Sequence, residues 1–487
     1  MFEQKLTDQS LLKSKGLING EWVSADAHKT FDVFNPANGE CIATVADLGA
    51  AETKRAIEAA NVAMTDWNTR TVKEKSALLR QWFDLVMANQ EDLATIMTLE
   101  QGKVLAESKG EVAYGASYIE WFAEEAKRIY GDILPSTTQD RRSMVIKQPI
   151  GVVGAITPWN FPNAMITRKI APALAAGCSV VLKPAAETPL SALALAELAQ
   201  RAGIPKGMIN VIPSKQSSEI GEQLTGHPLV KKLTFTGSTR VGKILMAQTA
   251  QTVKRTSMEL GGNAPVLVFD DADIDKAVQG ALMAKFRNAG QTCICANRIL
   301  VHSNIYEEFV RRLTEKVEHF VLGDGLADSS TMGPLITRHA AEGVAELVAD
   351  ALAKGAQLTI GGALNKGTGF FFQPTVIRDL DQTMRLAKEE VFGPVAPIFK
   401  FETEDEAIAM ANDTEFGLAA YVFTKDQSRS WRVSERLEYG MVGVNETAIS
   451  SEMIPFGGVK ESGQGREGSK YGLDDYLEMK YVCLGDI

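Results

Sequence analysis

The chain is expected to be an α/β protein of two wound modules with a small additional sheet. Three observations lead there. From Gly151 onward, short β-branched runs alternate with Ala/Leu/Glu-rich amphipathic stretches, the pattern of βαβ units around a parallel sheet. The alternation stops at MELGG and starts again after it. The 487 residues, 45% of them hydrophobic and 23% charged, are enough for roughly three ordinary domains with sizeable cores.

The first module reads as VVGAIT, a helix through PNAMITRKIAPALAAG, SVVLKP, a helix through LSALALAELAQRAG, MINVIP and KKLTFTG. The second reads as PVLVFD, a helix from Ala277 to Asn288, RILVHS, helices through IYEEFVRRLTEKVEHF and HAAEGVAELVADALAKG, QLTIGG and FGLAAYVFTKD. Before Gly151 the pattern is helical in AAETKRAIEAANVAMTDW and SYIEWFAEEAKRIYGD, then strand-like and polar in STTQDRRSMVIKQP. The terminal LDDYLEMKYVCLGDI is a further strand candidate. Two α/β modules place a site between them.

Bulk properties remove several function classes. A net charge of -10 lacks the basic field of a nucleic-acid protein. The N-terminal MFEQKLTDQSLLKSKG carries acids and no apolar core, and no apolar run approaches the roughly 18 residues of a membrane span. A cytosolic location and no membrane partner are therefore expected. Cysteines at 41, 178, 293, 295 and 483 form no CxxC pair, and five scattered histidines form no HExxH, so neither a disulfide framework nor a metal site is expected.

Three segments carry groups suited to covalent chemistry on a carbonyl. FRNAGQTCICAN presents a thiol, Cys293; MELGGNAP presents a carboxylate, Glu259; TPWNFP presents Asn160, a donor for an oxyanion. Each also has a bland reading, as a small buried hydrophobe, a turn residue and a loop amide. TGSTRVGKI follows the strand-like KKLTF and could set backbone N–H groups on a phosphate. It nearly matches a Walker A loop, but Ile244 stands where that loop needs a hydroxyl for magnesium, and it is not GxGxxG either.

All three segments, in this order and with these neighbours, resemble the aldehyde dehydrogenase superfamily. The resemblance runs from INGEWV to GREGSKYG and is nearest to its succinate-semialdehyde dehydrogenases through MITRKIAPALAAGC, KFRNAGQTCICANR and EGSKYGLDDYLEMKY. It implies a Rossmann-type cofactor domain over residues 1–130 and 151–260, an α/β catalytic domain over 261–465, and oligomerisation strands at 131–150 and 470–487. A homodimer or homotetramer is expected. It implies that Cys293 attacks the aldehyde, that Asn160 and the Cys293 N–H hold the oxyanion, and that hydride loss to the nicotinamide leaves a thioester. Glu259 then activates water, with Lys169 and Glu467 as a proton relay or, equally, a structural ion pair.

For the cofactor, the resemblance assigns Trp159, Lys183, Gly237, Ser238, Glu390 and Phe392. Members that prefer NAD have a glutamate at the position of Ala186, where it holds the ribose 2′-hydroxyl. Here Ala186 leaves room for a 2′-phosphate, so NADP is expected, with NAD possible through Glu187. Arg168, Arg287 and Ser450 match groups that hold the substrate carboxylate, and a guanidinium suits a carboxylate better than an ammonium does. The implied substrate is a small aldehyde bearing a carboxylate: succinate semialdehyde, or glutarate semialdehyde as the alternative. A cysteine esterase without redox chemistry is the reading from another class. Cys295 resembles the second thiol of members that switch off under oxidation, through a Cys293–Cys295 disulfide; along the chain the two residues lie at most about 7 Å apart.

Overall fold

The computed structural model describes residues 3–486. Both expected alternations form wound sheets. In the first sheet, parallel strands Arg255–Glu259, Val230–Thr236, Val152–Ile156, Val180–Lys183 and Ile209–Val211 lie side by side in that order. The earliest of these, Val152–Ile156, therefore sits inside the sheet, and successive strands wind outward from it in both directions. The crevice at the carboxyl ends of Val152–Ile156 and Val230–Thr236 is the switch point, where wound sheets bind ligands. TPWNFP leaves one of these strands and TGST leaves the other.

Antiparallel strands close both edges of this sheet. Gly16–Ile18 and Glu21–Val23 extend it beyond Ile209–Val211. On the far edge, Gly463–Gln464 pairs with Met258 and Glu259, so the end of the segment expected in the second module is stitched to the first. The second sheet runs Gln357–Ile360, Thr375–Leu380, Val395–Phe401, Ala296–His302, Ala264–Val268, Ala419–Phe423, Met441–Val444, parallel except at its first strand. The third sheet has one strand more than the two segments expected: Asp132–Leu134 joins Arg141–Pro149 and Leu477–Gly485. The stretch from Lys470 to Tyr476, expected as strand, is a 3-10 helix.

The helix Ala164–Ala176 positions the site. Every residue in it is buried, including Arg168 and Lys169, so it reads as a core helix and not as an amphipathic surface one. Its first turn is held by Glu111, which accepts from the N–H groups of Asn163 (2.9 Å) and Ala164 (3.2 Å) where the helix leaves four donors unpaired. Gly177 ends it in the left-handed conformation, φ 102°. A face of the first sheet packs Leu233, Phe235, Met258 and Leu260 into an apolar core. Lys232, Ser257 and Glu259 alternate with those residues along the same two strands, so their side chains leave by the opposite face.

In the second module, Ile274–Phe286 is the helix expected from 277 to 288. It stops short because Asn288 and Ala289 adopt left-handed backbone, φ 53° for each. Among the described residues no helix is long and apolar enough to cross a membrane.

Candidate active site

Cys293 lies at the end of the segment that follows those two left-handed residues. It lines a cavity of about 240 Å³ with Trp159, Asn160, Thr236, Gly237, Ser238, Glu390 and Phe392, at the switch point of the first sheet. Seven residues assigned from sequence thus share one cavity. Gly262 lets the thiol loop approach the MELGG turn, since a Cβ there would stand 2.2 Å from the Cys293 carbonyl oxygen. Its N–H donates to Glu390 Oε1 at 3.1 Å. Phe392 holds φ 48°, unusual for a residue with a bulky side chain, and its ring meets Trp159 edge to face at 5.6 Å.

The residues in this cavity suit a dinucleotide. Ser238 caps the helix Thr239–Thr249, its hydroxyl accepting from the Val241 N–H, so the helix's free N–H groups open toward an anion. Gly237 has no room for a side chain: a Cβ would lie 2.5 Å from the Phe235 ring. Burial raises Glu390 to about 7, suiting a group that bonds a neutral hydroxyl. Lys183 ends its strand buried, its ammonium on the Pro184 carbonyl. Ala186 lines a different cavity, of about 310 Å³, with Glu187 and Lys215.

Asn160 joins this cavity to a second one. Its side-chain amide donates to the Gln291 carbonyl at 2.9 Å, leaving the other amide hydrogen free. Its backbone carbonyl accepts from Lys103 Nζ (2.8 Å) and Asn288 Nδ2 (3.0 Å). Lys103 and Asn288 in turn line the second cavity, of about 280 Å³, with Glu107, Tyr114, Phe161, Arg287 and Ser450.

The two arginines stand differently. Arg287 is exposed at the mouth of the second cavity, 5.0 Å from the Phe161 ring, with no carboxylate partner among the described residues. Arg168 is 1% exposed, 2.9 Å from Glu467 and stacked on Phe456 at 4.1 Å. Glu467 also takes the ammonium of Lys169, so the expected Lys169–Glu467 pair is a triad.

Lys103, Glu107 and Glu111 were not singled out from the sequence. Glu107 accepts from the Asn288 N–H at 2.9 Å and so fixes the left-handed turn; Glu111 pairs with Lys103 and caps the helix. Charged residues closing a buried helical segment were the one available signal.

Burial and charge set the protonation states. Burial pushes the Cys293 thiol up to about 12; Arg168 opposes this, and Glu390 and Glu259 add to it. Burial also raises Glu259 well above the usual carboxylate range, aided by the charge of Glu467. Burial works the same way on Glu467, but Lys169 and Arg168 outweigh it and hold that carboxyl low. The two neighbouring carboxyls are thus pushed in opposite directions, Glu467 down and Glu259 up. All five cysteines are free thiols; Cys295 is fully buried with Sγ 3.4 Å from the Lys285 carbonyl, a contact it must leave to pair with Cys293. No cluster of three or more His, Cys, Asp or Glu able to hold a metal ion occurs among the described residues.

A family model described as "Aldehyde dehydrogenase family" matches residues 22–482. The chain belongs to the aldehyde dehydrogenase family. It is 57% identical to a succinate-semialdehyde dehydrogenase [NADP(+)] of Escherichia coli, across 99% of this chain and 100% of that one. It is 58% identical to a glutarate-semialdehyde dehydrogenase of Pseudomonas putida, across 99% of each. Among solved structures, an NADP-dependent enzyme of E. coli superposes with a TM-score of 0.98 at 57% identity, covering 99% of this chain and 100% of that chain.

A thiol pushed up to about 12 reacts as thiolate in proportion to the hydroxide concentration. Alkylation of the cofactor-free enzyme by iodoacetamide should therefore accelerate about tenfold per pH unit between pH 7 and pH 9, with no plateau. The rate is read by mass spectrometry of the Cys293 peptide. A plateau below pH 8 would contradict a thiol that its surroundings push up.

Proposed function

We propose that the chain oxidises succinate semialdehyde to succinate with reduction of NADP, through a covalent intermediate on Cys293. The observation that carries this reading is the pair of cavities meeting at Asn160 and Phe161: one holds the thiol, the other an unpaired guanidinium, Arg287, beside Ser450. An aldehyde with a carboxylate at its far end can set one end in each.

Trp159, Gly237, Ser238, Glu390 and Phe392, with Lys183 further out, would hold the dinucleotide, which when bound supplies a hydride acceptor. Cys293 Sγ, its thiol proton given up to water in the cavity, forms the bond to the aldehyde carbon as the carbonyl π bond opens, and the oxygen takes up the negative charge. The free amide hydrogen of Asn160 and the Cys293 N–H stabilise it; one such donor contributes about 2.7–4 kcal/mol. Glu259, which burial raises, draws a proton from water in its ionised form, where the raised position makes it the stronger base of the two carboxylates; Lys169 and Glu467 are the neighbouring groups that can relay the proton onward. Arg287 and Ser450 fix the distal carboxylate, while the cation of Arg168 acts on the thiol and Glu259 from inside the core.

Glutarate semialdehyde is the second reading, because one methylene is discriminated by only about 1–3 kcal/mol, and a relative of equal similarity carries that name. The proposal includes a cytosolic location. It also includes a homo-oligomer: the third sheet leaves Leu134, Met479 and Tyr481 exposed on one face, apolar groups suited to a second copy.

A panel of aldehydes assayed for cofactor reduction with NADP and with NAD tests the reading; succinate or glutarate semialdehyde must exceed uncharged aldehydes of equal length. In the same panel Arg287→Ala should lower kcat/KM for succinate semialdehyde by about 1.5–3 kcal/mol, that of one charged hydrogen bond, and hardly change that for butanal. Arg168→Ala should impair both, since it strips Glu467 of a partner. Equal losses for Arg287→Ala on both aldehydes would place Arg287 in the fold and not at the substrate.

Ala186→Glu tests the cofactor. A carboxylate there repels a 2′-phosphate and accepts from a 2′-hydroxyl, so the ratio of NADPH to NADH affinity, measured by fluorescence titration, should fall at least about tenfold. An unchanged ratio would put position 186 away from the ribose.

A further inference from the structure

Thioester hydrolysis makes a C–O bond and breaks the C–S bond. Of the two protons of water, one returns to the thiolate and one leaves as the product ionises. That second proton starts in a closed place: Glu259 is 3% exposed, Glu467 4% and Lys169 not at all. The polar face of the first sheet continues beyond them. Along the paired strands, Thr236 stands beside Glu259, Thr234 beside Ser257 and Lys232 beside Arg255. The Thr236 hydroxyl and Glu259 Oε2 are buried with no hydrogen-bond partner among the described residues, so they retain capacity for water along that face, and the Thr234 hydroxyl faces Tyr476.

The row ends in a connected group. Lys232, fully buried, donates to Ser257 Oγ; Ser257 donates to Asp475 Oδ2 at 2.7 Å; and Asp475 has 26% of its side chain in solvent. The Lys232 ammonium lies 4.9 Å from the Tyr476 ring.

We propose that Lys232, Ser257 and Asp475 form the proton exit of the active site, carrying protons from the Glu259–Glu467–Lys169 group to solvent along the polar face of the first sheet. Lys232 passes a proton through the Ser257 hydroxyl to the Asp475 carboxylate and is recharged from the Lys169–Glu467 pair; no electrons move. The groups facing Lys232 suit this. Asp475 and Tyr476 come from the 3-10 helix, Lys169 from the buried helix, Arg255 from the adjacent strand, Glu467 from the chain after Gly465, and Cys178 from the turn before Val180. Burial lowers Lys232 to about 8, with Lys169 and Arg255 adding to it and Asp475 opposing, so both protonation states are within reach near neutral pH.

The route rests on the thioester reading above, and rapid quench separates the two. Wild type, Ser257→Ala, Lys232→Arg and Asp475→Asn are mixed with succinate semialdehyde and NADP, following the burst of reduced cofactor and the decay of the thioester independently. Arginine keeps the charge of Lys232 but does not release its proton. All four proteins should show the wild-type burst. Thioester decay should slow at least about tenfold in Ser257→Ala, Lys232→Arg and Asp475→Asn, a fraction of what a general base itself contributes, and imidazole buffer should partly restore it. Wild-type decay in any of the three variants, or burst and decay falling together, would overturn the route alone. Absence of a thioester in wild type would overturn the functional reading and the route with it.

Discussion

A single buried carboxylate organises the centre of this molecule. Glu467 is 4% exposed and is shared by Arg168 and Lys169, two cations on consecutive residues of a helix with no exposed face. Removing one member would leave an uncompensated buried charge, commonly a loss of about 3–5 kcal/mol. The helix must therefore lie where both cations reach Glu467, and the chain after Gly465 must come back to meet them. The return is fastened by Gly463–Gln464, which pairs with the strand carrying Glu259. The same triad decides the chemistry. Burial, reinforced by the negative charge of Glu467, raises Glu259 beside it, and the cation of Arg168 opposes the effect of burial on the Cys293 thiol.

The sequence made the scaffold legible where period and burial agree. The βαβ alternation after Gly151 and again after MELGG is what a sheet covered by helices requires, and both sheets form. It failed where backbone conformation outweighs side-chain type. Nothing in Asn288-Ala289 announces two consecutive left-handed residues, yet these end the helix early and swing Cys293 into its cavity. Lys470–Tyr476 is read as strand only through the strand-like segment that follows it; Gly472, Asp474 and Asp475 are poor strand formers, Leu473 and Tyr476 pack into the core, and Asp475 meets Ser257, so the stretch coils.

At the site, Trp159, Gly237, Ser238, Glu390 and Phe392, which stand in short motifs and are expected to meet a dinucleotide, line one cavity. The substrate end was less legible. Arg168 and Arg287 look equivalent as letters near a nucleophile; only the fold shows one committed to Glu467 and the other free at a cavity mouth. Lys103 and Glu111 could not be picked out because their partners, Asn160 and the start of the buried helix, lie far along the chain.

The central claim is that Cys293 carries the acyl group and Glu259 releases it. Glu259→Gln, mixed with succinate semialdehyde and NADP and quenched within a single turnover, should accumulate a succinyl thioester on the Cys293 peptide, seen by mass spectrometry together with a full burst of reduced cofactor. Cofactor reduction without any adduct on Cys293, or an adduct that decays at the wild-type rate, would contradict it.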